Sequence, residues 1–163
     1  MRARVAAVPP AEPMSWPVAG TARERRLTEP ELNAWGERFA REHPAPVVVA
    51  LEGDLGAGKT TLAQAICRGF GVVEDVTSPT FALVHQYEAP DAPVYHLDLY
   101  RLEGPGQLTN LGWDEIMNER AAVLVEWPDR AGNRLPPSAV RLHLAHVPGE
   151  PRLRALRVGA PTA

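Results

Sequence analysis

The segment Gly53-Asp54-Leu55-Gly56-Ala57-Gly58-Lys59-Thr60 fits the spacing G-x-x-x-x-G-K-[ST] at every fixed position. Each residue type has a chemical reason to be there. The glycines allow main-chain conformations closed to other residues and let N–H groups approach a phosphate. A helix beginning at the lysine would point its positive N-terminal end at the same anion. Lys59 would reach the β- and γ-phosphates of a nucleotide, and the Thr60 hydroxyl would ligate Mg²⁺. The loop from Gly53 to Thr61 is therefore expected to bind a nucleotide through Gly56, Ala57, Gly58, Lys59, Thr60 and Thr61. Lysine and arginine total 17 in the chain, and Lys59 is the one lysine. Everywhere else arginine serves, so the exception marks a place where a compact ammonium is required.

That lone lysine also narrows the ligand. Guanine-specific proteins of this class carry an Asn-Lys-x-Asp element, and no lysine remains to build one, so the expected base is adenine. A protein kinase is excluded for the same reason, since it needs a lysine on a strand outside the loop.

Nucleotide hydrolysis also needs an acidic residue at the end of a buried strand to hold Mg²⁺. Glu126 ends the apolar run Ala121–Val125 and is read as that carboxylate in preference to a strand-end group facing solvent. Trp127 beside it either covers the site or belongs to a core or interface. In His96-Leu97-Asp98-Leu99-Tyr100-Arg101, strand alternation places His96, Asp98 and Tyr100 on one face. That face is either a working surface or simply the solvent side, and the residues alone leave both open. Ser78-Pro79-Thr80 offers either a hydroxyl toward the γ-phosphate, as a switch does, or a proline turn before a strand. Cys67 reads as a small core residue. Alternation sends His143 and His146 to opposite faces, which argues against a metal pair.

The elements that must position these groups follow from periodicity and punctuation. Residues 1–22 are rich in Pro, Ala and Arg without periodicity and read as a disordered tail. Residues 23–159 are expected to form the working domain, and 160–163 a short tail. Thr28-Glu29-Pro30-Glu31 predicts a helix start with a capping box, and His43-Pro44 its end. Val47–Leu51 is a strand buried on both faces, and Thr60–Phe70 a helix stopped by glycine. Phe81–Tyr87 and Val94–Tyr100 predict an antiparallel hairpin, Gly104–Glu119 one or two short helices around Gly112, and Ala121–Val125 a buried strand. Val140–His146 and Leu153–Val158 predict a closing hairpin. The fold expected is α/β: a single P-loop NTPase-like domain with a mixed β-sheet flanked by helices and a C-terminal β-hairpin.

Composition sets outer limits. With 163 residues, 45% of them hydrophobic, the chain can bury one core. No apolar run approaches the length of a membrane span, and one cysteine fits a reducing compartment. A soluble, cytoplasmic protein is expected. The formal charge of −3 gives no electrostatic footprint for DNA or RNA, so any RNA would be held by something else.

Taken together, Gly53–Thr61, Ser78-Pro79-Thr80-Phe81, His96-Leu97-Asp98-Leu99-Tyr100-Arg101 and Glu126-Trp127-Pro128 resemble, in order and spacing, the TsaE (YjeE) family. The resemblance covers roughly residues 25–158. It implies a Mg-dependent ATPase, slow alone, that works with TsaB and TsaD in forming N6-threonylcarbamoyladenosine beside the anticodon of tRNAs reading codons that begin with A. It implies Mg²⁺ ligands at Thr60 and Glu126, with Asp98 important for hydrolysis and coupling. It further implies Thr28 near the base, Thr80 on the γ-phosphate side, and a C-terminal arginine, Arg152 or Arg154, approaching the nucleotide. The catalytic set expected is Lys59, Asp98 and Glu126. Two rivals remain at this level. One is a small-metabolite kinase, which would need an arginine-bearing helical lid. The other is a non-catalytic module in which ATP only orders a docking surface.

Overall fold

In a computed structural model, which describes residues 23–77 and 83–159, the chain builds one mixed sheet with helices on both faces. The first element is β1 (Glu24–Thr28), followed by α1 (Glu29–Glu42), β2 (Val47–Glu52) and α2 (Lys59–Phe70). The hairpin β3 (Val84–Tyr87) and β4 (Val94–Asp98) comes next. A 3₁₀ turn over Pro105–Leu111, α3 (Trp113–Asn118), β5 (Ala122–Glu126) and a second 3₁₀ segment over Pro128–Arg134 precede the closing strands β6 (Val140–His146) and β7 (Leu153–Gly159). The sheet order is β1-β7-β6-β2-β5-β4-β3. Its four central strands, β6, β2, β5 and β4, run parallel; β3 and β7 flank them antiparallel, and β1 pairs antiparallel with β7 at the outer edge.

The parallel centre explains the continuous apolar runs. Both faces of β2 and β5 are covered, so neither strand alternates with polar residues. Even-numbered residues of β5 (Ala122, Leu124) pack with Val49, Leu51 and Leu62 beneath α1 and α2. Odd-numbered ones (Val123, Val125) pack with Ala50, Leu97 and Trp113 under α3 and the 3₁₀ segments. All five residues of β5 are buried.

The caps behave largely as their sequence suggests. Thr28 Oγ1 accepts from the Glu31 amide at 3.4 Å, and Pro30 occupies the first turn of α1. The glutamate takes a different partner from the usual capping box: Thr28 Oγ1 donates to Glu31 Oε1 at 2.8 Å. The main chain of Thr28 already belongs to β1, in register with Leu153 of β7. That strand was not legible. Glu24, Arg25 and Arg26 show no apolar alternation and are exposed, and they form a strand because β7 offers an open edge.

Candidate functional site: the Gly-rich loop and the carboxyl edge of the sheet

The loop between β2 and α2 leaves the carboxyl end of a central parallel strand, where open α/β sheets place their ligands. Gly53 has φ +143, and a Cβ there would lie 2.3 Å from the Leu144 carbonyl oxygen, so only glycine lets the loop turn against β6. Gly58, at φ +104, caps α2 without a side chain, and no acidic residue occupies the first turn. The amides opening α2 therefore face outward from a helix end of positive character.

Lys59 is 5% exposed and its ammonium lies inside the loop, with Nζ donating to the Gly53 carbonyl at 2.5 Å and the Asp54 carbonyl at 3.0 Å. The Trp127 ring stands 4.2 Å from the same nitrogen, a cation–π contact. Trp127 has φ +56, a left-handed conformation uncommon for a bulky residue, and this turn at the end of β5 brings the indole over the loop. Tyr100 leans on it, ring centroids 5.0 Å apart. Burial lowers the Lys59 pKa, and the charges of Glu126, Asp98 and Asp54 act in the opposite direction.

Two parallel ladders bring the acidic groups together. Asp98 closes β4, Glu126 closes β5, and the two are Cα partners; Glu126 is in turn paired with Leu51 at the end of β2. Glu126 is 3% exposed. Its Oε1 accepts from Thr60 Oγ1 at 3.3 Å, and its Oε2 accepts from His96 Nε2 at 2.6 Å. Asp98 Oδ1 accepts from the Tyr100 amide at 3.0 Å. Leu55, Gly56, Gly58, Lys59, Thr60, Thr61, Asp98, Glu126 and Trp127 thus line one cavity of about 300 Å³.

A second cavity, of about 630 Å³, opens directly beside it, with Gly56, Gly58 and Thr61 in both walls. Thr28 at the end of β1, Glu29, Pro30 and Leu32 of α1, and Pro151, Arg152 and Arg154 around the start of β7 line it as well. Arg154 Nη1 donates to the Pro151 and Leu153 carbonyls, which holds its guanidinium against the turn. Through these shared walls the two cavities join into one trough.

The residues singled out from sequence are placed as follows. Lys59, Thr60, Asp98 and Glu126 meet in the smaller cavity with Gly56, Gly58 and Thr61, while Ala57 is fully buried beneath the loop. Thr28 and Arg152 both line the larger cavity, close together because Thr28 of β1 pairs with Leu153 of β7, and Arg154 lines it too. Thr80, with Ser78 and Pro79, lies outside the described residues. The reading of the His96 face as the solvent side fails: β4 is an interior strand and His96 is 0% exposed. Sequence reasoning gave His96 no role. Its only signal was its place two residues before Asp98, and which strand lies alongside is not written in that spacing.

Thr60 and Glu126 suit a divalent cation of the magnesium type: a hydroxyl and a carboxylate, both hard oxygen donors, converge beside the loop. Among the described residues no group of three or more His, Cys, Asp or Glu side chains gathers as a metal cage.

Fold and site together define an α/β protein whose Gly-rich loop faces paired carboxylates across the carboxyl edge of a mixed sheet. Residues 27–153 match the family described as "Threonylcarbamoyl adenosine biosynthesis protein TsaE", and the chain belongs to that family, one of tRNA threonylcarbamoyladenosine biosynthesis. The tRNA threonylcarbamoyladenosine biosynthesis protein TsaE of Synechocystis sp. is 41% identical over 107 residues, covering 62% of this chain and 68% of that protein. Its namesake from Rickettsia typhi is 32% identical over 131 residues, covering 80% and 90%. The crystal structure of Bacillus subtilis YdiB is similar with a TM-score of 0.72 at 29% identity, over 86% of each chain.

Proposed function

We propose that the chain is a Mg²⁺-dependent ATPase that works with TsaB and TsaD in forming N6-threonylcarbamoyladenosine on tRNAs reading codons that begin with A. The observation that carries this reading is the meeting of Lys59, Thr60, Asp98 and Glu126 at the mouth of the Gly-rich loop. The larger cavity, walled by Thr28 and Arg152, would receive adenine and ribose.

Loop amides and the outward-facing amides of α2 would hold the β-phosphate. Lys59 would exchange its carbonyl partners for β- and γ-phosphate oxygens and stabilise the charge that develops on the transferred phosphoryl group. Thr60 and Glu126 would hold Mg²⁺, which when bound neutralises charge on the phosphate oxygens. Asp98 would orient the attacking water in line with the leaving oxygen. Trp127 and Tyr100 would shield this end of the trough from bulk water.

Slow turnover by the chain alone follows from the sparse set of transition-state donors beside the γ-phosphate position. Partner docking would complete the site and couple hydrolysis to a conformational reset of the complex. With a net charge of −3, contact with tRNA would come through the partners. Among the described residues no helix follows residue 134, which disfavours the helical lid of a metabolite kinase.

Phosphate release by the purified chain, alone and with TsaB, TsaD and tRNA, tests the proposal. Slow release that rises about tenfold or more in the complex is expected. Fast release indifferent to the partners, or a phosphorylated metabolite as product, would overturn it.

A further inference from the structure

His96 sits in β4 with 0% exposure, a costly place for an imidazole unless its nitrogens find partners. Nε2 has one: it donates to Glu126 Oε2 at 2.6 Å. Nδ1 has no hydrogen-bond partner among the described residues. A position serving only the packing of this core would be cheaper filled by an aliphatic side chain, as at Val94 and Leu124, which are fully buried on the same face of the sheet. One hydrogen bond is kept here at the expense of one unsatisfied nitrogen, so that bond serves something besides packing.

What it serves is visible at the far oxygen. The terminal torsion of a glutamate is broad and does not by itself fix the plane of the carboxylate. In Glu126 one oxygen is tied to His96, and the other then faces Thr60 Oγ1 at 3.3 Å. His96 reaches Glu126 diagonally: its own ladder partner on β5 is Leu124, two residues earlier on the same face. The two strands therefore set the imidazole behind the carboxylate, on the side away from the loop.

We propose that His96 is a positioning residue for Glu126: its Nε2–H turns the carboxylate so that Oε1 faces the Thr60 hydroxyl, and this sets how tightly the pair takes a divalent cation together with nucleotide. The inference rests on the reading of Thr60 and Glu126 as metal-holding groups. Groups hydrogen-bonded behind a metal ligand commonly change metal affinity by 10–100-fold.

Two isosteric amides separate positioning from packing. In His96→Gln the side-chain nitrogen stands where Nε2 stood, whereas in His96→Asn it falls short, near the place of Nδ1. Mn²⁺ uptake by the full chain with ATP, followed by electron paramagnetic resonance, is the readout, with ATP affinity in EDTA as control. His96→Asn is expected to weaken Mn²⁺ uptake about tenfold or more, His96→Gln to stay within about threefold of the parent, and both to bind ATP in EDTA as the parent does. Parent-like Mn²⁺ uptake by His96→Asn, or equal losses in both folded variants, would overturn the role of His96 while leaving the metal site standing. No Mn²⁺ uptake by the parent would overturn the metal site itself, and this inference with it. Should the Asn variant not fold, ¹⁵N-histidine spectra of the parent decide. An exchange-protected Nε2–H signal that moves when Mg²⁺ joins the ATP complex is expected, and a signal indifferent to Mg²⁺ would refute the proposal.

Discussion

The Lys59 ammonium lies between opposing effects. Burial favours loss of its proton, while Glu126, Asp98 and Asp54, with two carbonyl acceptors, favour keeping it. A triphosphate in the loop would add charge of the sign that stabilises the ammonium. Tyr95, on the opposite face of β4, shows the same logic with a testable sign. Its hydroxyl donates to Glu119 Oε2 at 2.5 Å, and the phenol is pushed up to about 12, first by that hydrogen bond and then by burial and the Glu119 charge. The folded chain thus keeps a proton that the unfolded chain loses near 10. The stability this gives is complete below about pH 10 and falls as pH rises through about 12. Tyr95→Phe is expected to cost about 1 kcal/mol in denaturant unfolding at neutral pH, with the gap to the parent closing as pH rises through that window. A gap that ignores pH would contradict the assignment. Cys67 is likewise pushed up to about 12, here by burial, so its thiol is protonated and inert in the fold.

At the scale of elements, α1 and α2 cross closely because glycine sits at the contact. Replacing a helical glycine by alanine ordinarily stabilises by up to about 1 kcal/mol. At Gly69 the opposite sign is expected, because the new Cβ would lie 2.4 Å from the Glu37 carbonyl oxygen and 2.7 Å from Ala40 Cβ. Overpacking of this kind costs about 1–3 kcal/mol, so Gly69→Ala should lower the melting temperature; an unchanged or raised midpoint would refute the close crossing. Most of these elements were legible in the sequence, since capping at Thr28, glycine stops and apolar runs are local signals. The exceptions share a cause. β1 has no apolar pattern of its own and is a strand only beside β7. The polar residues of β4 were read by alternation alone, which cannot say that β3 and β5 flank the strand and bury His96.

At the scale of the molecule, the sheet order places the ends of β2, β4 and β5 side by side and so gathers residues nearly seventy positions apart, Thr60 and Glu126 among them. The Gly-rich loop itself was readable because its pattern is written within eight consecutive residues. The partnership of Glu126 with His96 was not, because it depends on register between β4 and β5, a property of the assembled sheet. The trough running from Thr28 and Arg152 to Glu126 likewise exists only once the start of α1 and the beginning of β7 are brought beside the loop. The central claim is that this trough grips a triphosphate together with magnesium. Calorimetric titration of ATP into the purified chain, with Mg²⁺ and then with EDTA, tests it most directly. Saturable binding at one site per chain is predicted, weakened about tenfold or more by Lys59→Ala; a folded sample that takes up no ATP in the presence of magnesium would contradict the account.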